Sequence, residues 1–295
     1  MRTLPSRPYA VLAALALGSC LLAGCGDDPE PRTDPTPTEQ TSEPTPIETA
    51  TEEPGDTVAA PVYFVGETPQ GPRLYREFRQ VEADNPLEEA GALVTAGDTL
   101  DPDYRTAWPQ GAFASVTQAP ESIVVELADD GWLTAGDLDA ATAELAVQQL
   151  VLTLQGTAGE PLPVEVVLGD GPVATLLGID ATKGFTAAPE LDVLALVNIT
   201  EPAEGATVSG TFTATGRASS FEATVPWEVR DESGTVVLDG FATAEGWMDK
   251  LYPWTSEVDV STLEPGSYTF VARTDDPSDG EGGGPTEDTK RITVK

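Results

Sequence analysis

The chain has 295 residues, with 50 acidic side chains against 15 basic ones and a net charge of −35. That balance repels nucleic acid and anionic lipid headgroups. There is no histidine and there are two cysteines, which excludes histidine-based zinc sites, Ser-His-Asp triads and imidazole general bases.

Residues 1–24 read as an export signal. Arg2 and Arg7 precede an apolar run over 10–23, which at ~1.5 Å per residue is too short to cross ~30 Å of hydrocarbon. The stretch Leu22-Ala23-Gly24-Cys25 resembles a bacterial lipobox. The resemblance implies cleavage after Gly24 and a lipid thioether on Cys25, which would hold the protein at the outer face of the cytoplasmic membrane, since two or more acyl chains anchor stably where one does not. Cys20 leaves with the signal, so no thiol remains for a disulfide, a metal or a nucleophile. Residues 25–60 are expected to be a disordered tether. Over 26–60 there are seven prolines, eight threonines and ten acids, with Ile47 and Val58 as the only large apolar side chains. Such a segment cannot bury enough surface to offset its ordering entropy.

Residues 61–180 are expected to form an α+β domain. Val62-Tyr63-Phe64-Val65 reads as a buried strand, and 74–81 alternates as a second. Pro86 opens a helix to about Ala96, with Leu87, Ala90, Leu93 and Val94 on one face. Strands follow at 112–116 and 122–127. Thr134-Ala-Gly-Asp137 is close to a capping box and predicts the start of a long helix, with Leu138, Ala141, Leu145, Gln148 and Leu152 on one stripe. Residues 164–168 and 173–179 read as strands around a Gly169-Asp170-Gly171 turn. No lysine or further glycine pattern makes that turn a phosphate cradle. Residues 181–195 read as a linker.

Residues 196–295 carry about seven short strands, no helix and regular turn signals, the pattern of an all-β immunoglobulin-like sandwich. The clearest period-two run is Phe221, Ala223, Val225, Trp227 and Val229, and Pro226 within it predicts a sheet edge or bulge.

The segment 61–180 resembles the GerMN domain of sporulation and spore-germination proteins, through Val62-Tyr63-Phe64-Val65, Tyr104-Arg105-Thr106-Ala107-Trp108-Pro109 and Leu176-Leu177-Gly178. The segment 197–295 resembles the immunoglobulin-like domain of bacterial spore germination, through Ile199-Thr200-Glu201-Pro202, Val208-Ser209-Gly210, Gly216-Arg217-Ala218, Phe221-Glu222-Ala223 and Val229-Arg230-Asp231. The resemblance implies an envelope role and brings no catalytic residue with it.

Three further features invite a site. Trp247, Tyr252 and Trp254 form an aromatic segment that would either bind a partner or plug one end of the sandwich. Trp108-Pro109 would line a groove or fold onto the sheet. Asp275 to Glu281 has the spaced carboxylates of a calcium loop, but Pro277 stands at the third position and Thr286 at the twelfth, which favours a solvated turn over a weak calcium site. No catalytic residue, metal or cofactor is expected. The expected partners are the membrane, through the anchor, and an envelope protein or peptidoglycan, with no nucleic acid. The competing reading is a carboxylate-dependent hydrolase of wall glycan, which needs only two acids in a cleft.

Overall fold

The computed structural model describes residues 56–277, 280–281 and 283–295. The signal, Gly24, Cys25 and residues 25–55 of the expected tether lie outside the described residues, as do Ser278 and Asp279 of the acidic turn.

The first module opens with a long hairpin, β1 (Thr57–Thr68) and β2 (Gly71–Glu82), paired without interruption from Thr57↔Glu82 to Thr68↔Gly71. The turn needs Gly71, whose φ is +104°. β1 starts at Thr57, four residues inside the segment expected to be tether, because pairing with β2 supplies the hydrogen bonds that local composition does not. Both faces of β1 are covered. Val62 and Phe64 enter the main core, while Tyr63 and Val65 join Leu74, Leu194 and Leu251 in a second cluster. A strand buried on both sides reads as a continuous apolar run rather than an alternating one.

α1 (Pro86–Ala96) has Pro86 in its first turn and ends on Gly97 in the left-handed region, whose N–H caps the Leu93 carbonyl. β3 (Phe113–Gln118) and β4 (Ile123–Leu127) are antiparallel. α2 (Ala140–Ala158) then carries the chain across to β5 (Val164–Leu168), which pairs parallel with β4. β6 (Gly171–Pro172) completes the sheet order β3-β4-β5-β6. α2 begins five residues later than a helix capped by Thr134 would. Its cap is Asp139, whose carboxylate accepts the Thr142 N–H at 2.8 Å, while Thr134 is extended and Gly136 turns the chain at φ +58°. The expected strand over 173–179 is instead a two-residue hairpin, β7 (Thr175–Leu176) and β8 (Ile179–Asp180), turned at Leu177 and Gly178.

Residues 181–195 are not a free linker. Phe185 exchanges two 2.8 Å backbone bonds with Val164, the Gln148 side chain holds Thr186 and Ala188, and Ala195 donates to Leu74. The one-turn helix α3 (Glu190–Val193) lies in this stretch, so tertiary bonds tie it to the first module.

The second module is an immunoglobulin-like sandwich. Its strands are β9 (Val197–Glu201), β10 (Ala206–Val208), β11 (Thr211–Ala218), β12 (Thr224–Arg230), β13 (Val236–Thr243), β14 (Tyr252–Asp259), β15 (Gly266–Arg273) and β16 (Glu287–Val294). One sheet has the order β14-β11-β9 and the other β10-β16-β15-β12-β13. Val225, Trp227, Trp254, Phe270 and Ile292 fill the space between them. Gly216 is required by close approach, since a Cβ there would sit 2.1 Å from the Asn198 carbonyl oxygen and 2.6 Å from the Trp254 ring. Two expectations change here. Phe221 and Ala223 lie in a short 3₁₀ turn before β12, and Phe221 faces solvent. Pro226 sits in an interior strand rather than at an edge, and is tolerated because pairing with β15 starts only at Trp227.

Candidate functional site

The two modules meet in a seam of buried charge. Parity along β16 turns Asp288 and Lys290 the same way as Ile292 and Val294, so a carboxylate and an ammonium are carried into the interior. The Lys290 Nζ donates to Asp101 Oδ2 at 2.6 Å, to Tyr104 Oη at 2.8 Å and to Asp288 Oδ1 at 3.1 Å. It also lies 4.5 Å from the centre of the Tyr104 ring. Tyr104 in turn donates to Asp288 Oδ1 at 2.6 Å, and Asp288 Oδ2 accepts the Asn198 amide and the Ile199 N–H. Glu77 of β2 closes the far side by accepting the backbone N–H groups of Leu100 and Asp101. Tyr75 stacks on Tyr104 and reaches across to the Glu287 carbonyl.

The electrostatics follow from burial and from who stands next to whom. Burial works against the Lys290 charge, but Asp288 and Asp101 outweigh it and hold the ammonium above its ordinary pKa. Burial raises Glu77, opposed by the two N–H donors, and raises Asp101, opposed by Lys290. Burial and the nearby Asp288 push the Tyr104 phenol well up, so it stays a donor. Each of these carboxylates is engaged by an ammonium, a phenol, an amide or a backbone N–H. The cluster reads as a lock between modules rather than as acid–base machinery.

A second clasp lies nearby. Glu190 of α3 accepts from Arg217 at 2.8 Å and from the Leu251 N–H at 3.0 Å. Leu251 belongs to the second module yet packs with Tyr63, Val65, Leu74 and Leu194 of the first.

Beside the clasp, the first module carries an open groove of about 1020 Å³. Trp108, Pro109, Leu138, Leu145 and Phe185 form its apolar lining, and Arg73, Arg105, Glu144 and Asp192 bring charge to it. Trp108 both lines the groove and folds inward. Its indole N–H donates to the Ala146 carbonyl at 2.8 Å, and its ring meets Trp132 and Phe113 edge-on.

The aromatic segment is split by the fold. Trp254 is 2 % exposed and fills the sandwich core, so it is not available to a partner. Tyr252 is half-buried against that core and donates to Asp249. Trp247 is the most exposed of the three. Trp227 is in the core, its N–H on Ser256. In the acidic turn Asp276 accepts the Gly280 N–H, and among the described residues no group of three or more Asp, Glu, Cys or His converges as metal ligands would.

The seam residues Asp101, Asp288 and Lys290 are not singled out by sequence reasoning. A signal was present in the parity of Asp288 and Lys290 with Ile292 and Val294, which places one of only four lysines on an inward face. Its partners come from a loop almost two hundred residues away.

Residues 61–172 match the family described as sporulation and spore germination, and residues 196–281 match the immunoglobulin-like domain of bacterial spore germination. The chain carries a GerMN domain followed by a spore-germination immunoglobulin-like domain. Neither family is one of enzymes. Among solved structures, the tandem GerMN domains of the sporulation protein GerM from Bacillus subtilis align at 12% identity and a TM-score of 0.37, over 70% of this chain and 62% of that one. CopC from Methylosinus trichosporium OB3b aligns at 23% identity and a TM-score of 0.23, over 34% of this chain and 93% of that one. The chain thus spans about three fifths of the GerM tandem structure. No curated protein matches it.

Proposed function

We propose that this GerMN–immunoglobulin-like chain is a binding and scaffolding protein of the cell envelope that serves a sporulation- or germination-type process without catalysis of its own. Cys25 holds it to the outer face of the cytoplasmic membrane, an acidic stalk sets its height, and the two modules present one rigid surface to an envelope protein or to peptidoglycan. The observation that supports this reading best is the seam. Lys290, Asp101, Asp288 and Tyr104 bond across the module boundary out of water, which suits a body that transmits position rather than one that opens and closes around a substrate.

The anchor is tested by fractionating cells that carry Cys25→Ala. The variant is expected in the soluble extracytoplasmic fraction, and retention in the membrane would overturn the anchor. The non-catalytic part is tested by incubating the purified protein with peptidoglycan and assaying new reducing ends. None are expected. Turnover that disappears in Asp139→Asn, Glu144→Gln or Asp192→Asn, the acids of the groove, would replace the reading with the hydrolase.

A further inference from the structure

One end of the second module is built against the usual rule for a sandwich loop. The connection from β11 to β12 and the connection from β13 to β14 lie together there, and they hold Phe221, Trp247 and Met248 out in solvent at 38 %, 36 % and 67 % exposure. The Phe221 and Trp247 rings meet edge-on at 5.2 Å, so this is one patch and not scattered side chains. Of the four non-glycine residues with positive φ among the described residues, three belong to these connections: Glu222 at +52°, Ala223 at +61° and Met248 at +85°. A side chain in the left-handed region is strained, and glycine at 248 would relieve that strain.

The strained shape is braced from beneath. Met248 N–H donates to Ser219 Oγ at 3.1 Å, Ala244 N–H to the Ala223 carbonyl at 2.8 Å, and Asp275 N–H to Ser220 Oγ at 2.7 Å. Tyr252 braces the far side by donating to Asp249, and Lys250 rests 4.9 Å above its ring. The apolar apex is therefore held in place before any partner arrives, which lowers the ordering cost of binding. Tryptophan, phenylalanine and methionine are also side chains that interface cores favour.

The surrounding charge chooses the partner. Along the two connections Glu222 adjoins Phe221, and Glu245 and Asp249 flank Trp247 and Met248, against Lys250 alone, while Asp275 of the adjoining turn is bonded to Ser220. An anionic rim disfavours a bilayer with anionic headgroups and favours a partner whose apolar contact is flanked by lysine or arginine. We propose that the Phe221–Trp247–Met248 tip is the docking surface of this protein for a basic, apolar-centred segment of a partner protein. The proposal rests on the binding and scaffolding reading, and its test does not depend on the anchor.

The full chain bearing Cys25→Ser is titrated by calorimetry with a 16-residue amphipathic peptide of leucine and lysine, and with its counterpart in which glutamate replaces lysine. The lysine peptide is expected to bind, and the glutamate peptide is not. Trp247→Ala with Met248→Ser is expected to weaken the lysine peptide about tenfold or more. Phe241→Ser, at a residue 69 % exposed on β13 and outside the tip, is expected to leave it within about twofold. Circular dichroism melts check that each variant is folded, and Trp247→Phe is expected to recover most of the affinity. Equal binding by every variant would reduce the effect to overall charge and overturn the proposal. So would a tip-dependent association with phosphatidylcholine–phosphatidylglycerol vesicles in place of the peptide, which would make the tip a membrane contact.

Discussion

The seam and the tip break the inside–outside rule in opposite directions. At the seam, Lys290, Asp101 and Asp288 are charged and buried, and every polar head has a partner. At the tip, Phe221, Trp247 and Met248 are apolar and exposed, in connections where Glu222, Ala223 and Met248 take backbone that favours glycine. The seam is complete within the chain. Its charges were removed from water because the two modules bring matching groups together, and such a cluster fixes one relative arrangement more than it adds stability. The tip is incomplete, because nothing in the described chain covers it. The lesson is that a departure from the rule has to be judged by whether the chain itself satisfies it.

The sharpest test of that contrast is Lys290→Met. It leaves two buried carboxylates facing each other and is expected to cost about 3–5 kcal/mol, read from chemical denaturation. A loss of less than about 1 kcal/mol would mean that water already enters the seam. Next comes the pair of tryptophans seven residues apart. Trp254→Ala is expected to cost about 3–5 kcal/mol from the emptied core, and Trp247→Ala less than about 0.5 kcal/mol. Similar losses in both would show that the tip is part of the fold.

A smaller effect is of opposite sign. Met248→Gly is expected to stabilise the protein by roughly 0.5–1 kcal/mol, because it relieves the left-handed strain and gives back part of that gain as unfolded-state entropy. A loss on substitution would show that the Met248 side chain packs more than its exposure suggests. The weakest handle is pH. Glu77 and Asp101 are raised by burial, so the folded state takes up their protons more readily than the unfolded one. Stability therefore rises as pH falls from neutrality through their folded pKa values. It falls again at lower pH, where Asp139, Asp180, Asp231 and Asp259 are protonated. Hydrogen bonds from Thr142, Thr182, Ser233 and Ser261 hold those four carboxylates below their ordinary range. Thermal melts against pH should show the rise, and Glu77→Gln should shrink it.

Local elements were legible because their causes are local. The buried run of β1, the Pro86 start of α1 and the Gly169 turn each follow from a few neighbouring residues. The α2 start was misplaced because Thr134 and Asp139 both offer a capping side chain, and only the turn at Gly136 decides between them. Phe221 was misplaced because its period-two run continues into β12 while the backbone turns before it.

Composition, the order of the modules and their fold classes are thus determined by the sequence alone, since apolar period, turn residues and missing histidine act at short range. The tertiary structure decided that Trp254 is core while Trp247 is surface, that residues 181–195 belong to the first module, and that Asp101 meets Lys290. Those outcomes depend on contacts between residues tens to hundreds of positions apart, where the same side chain is core or surface, paired or unpaired, according to what the rest of the chain brings against it.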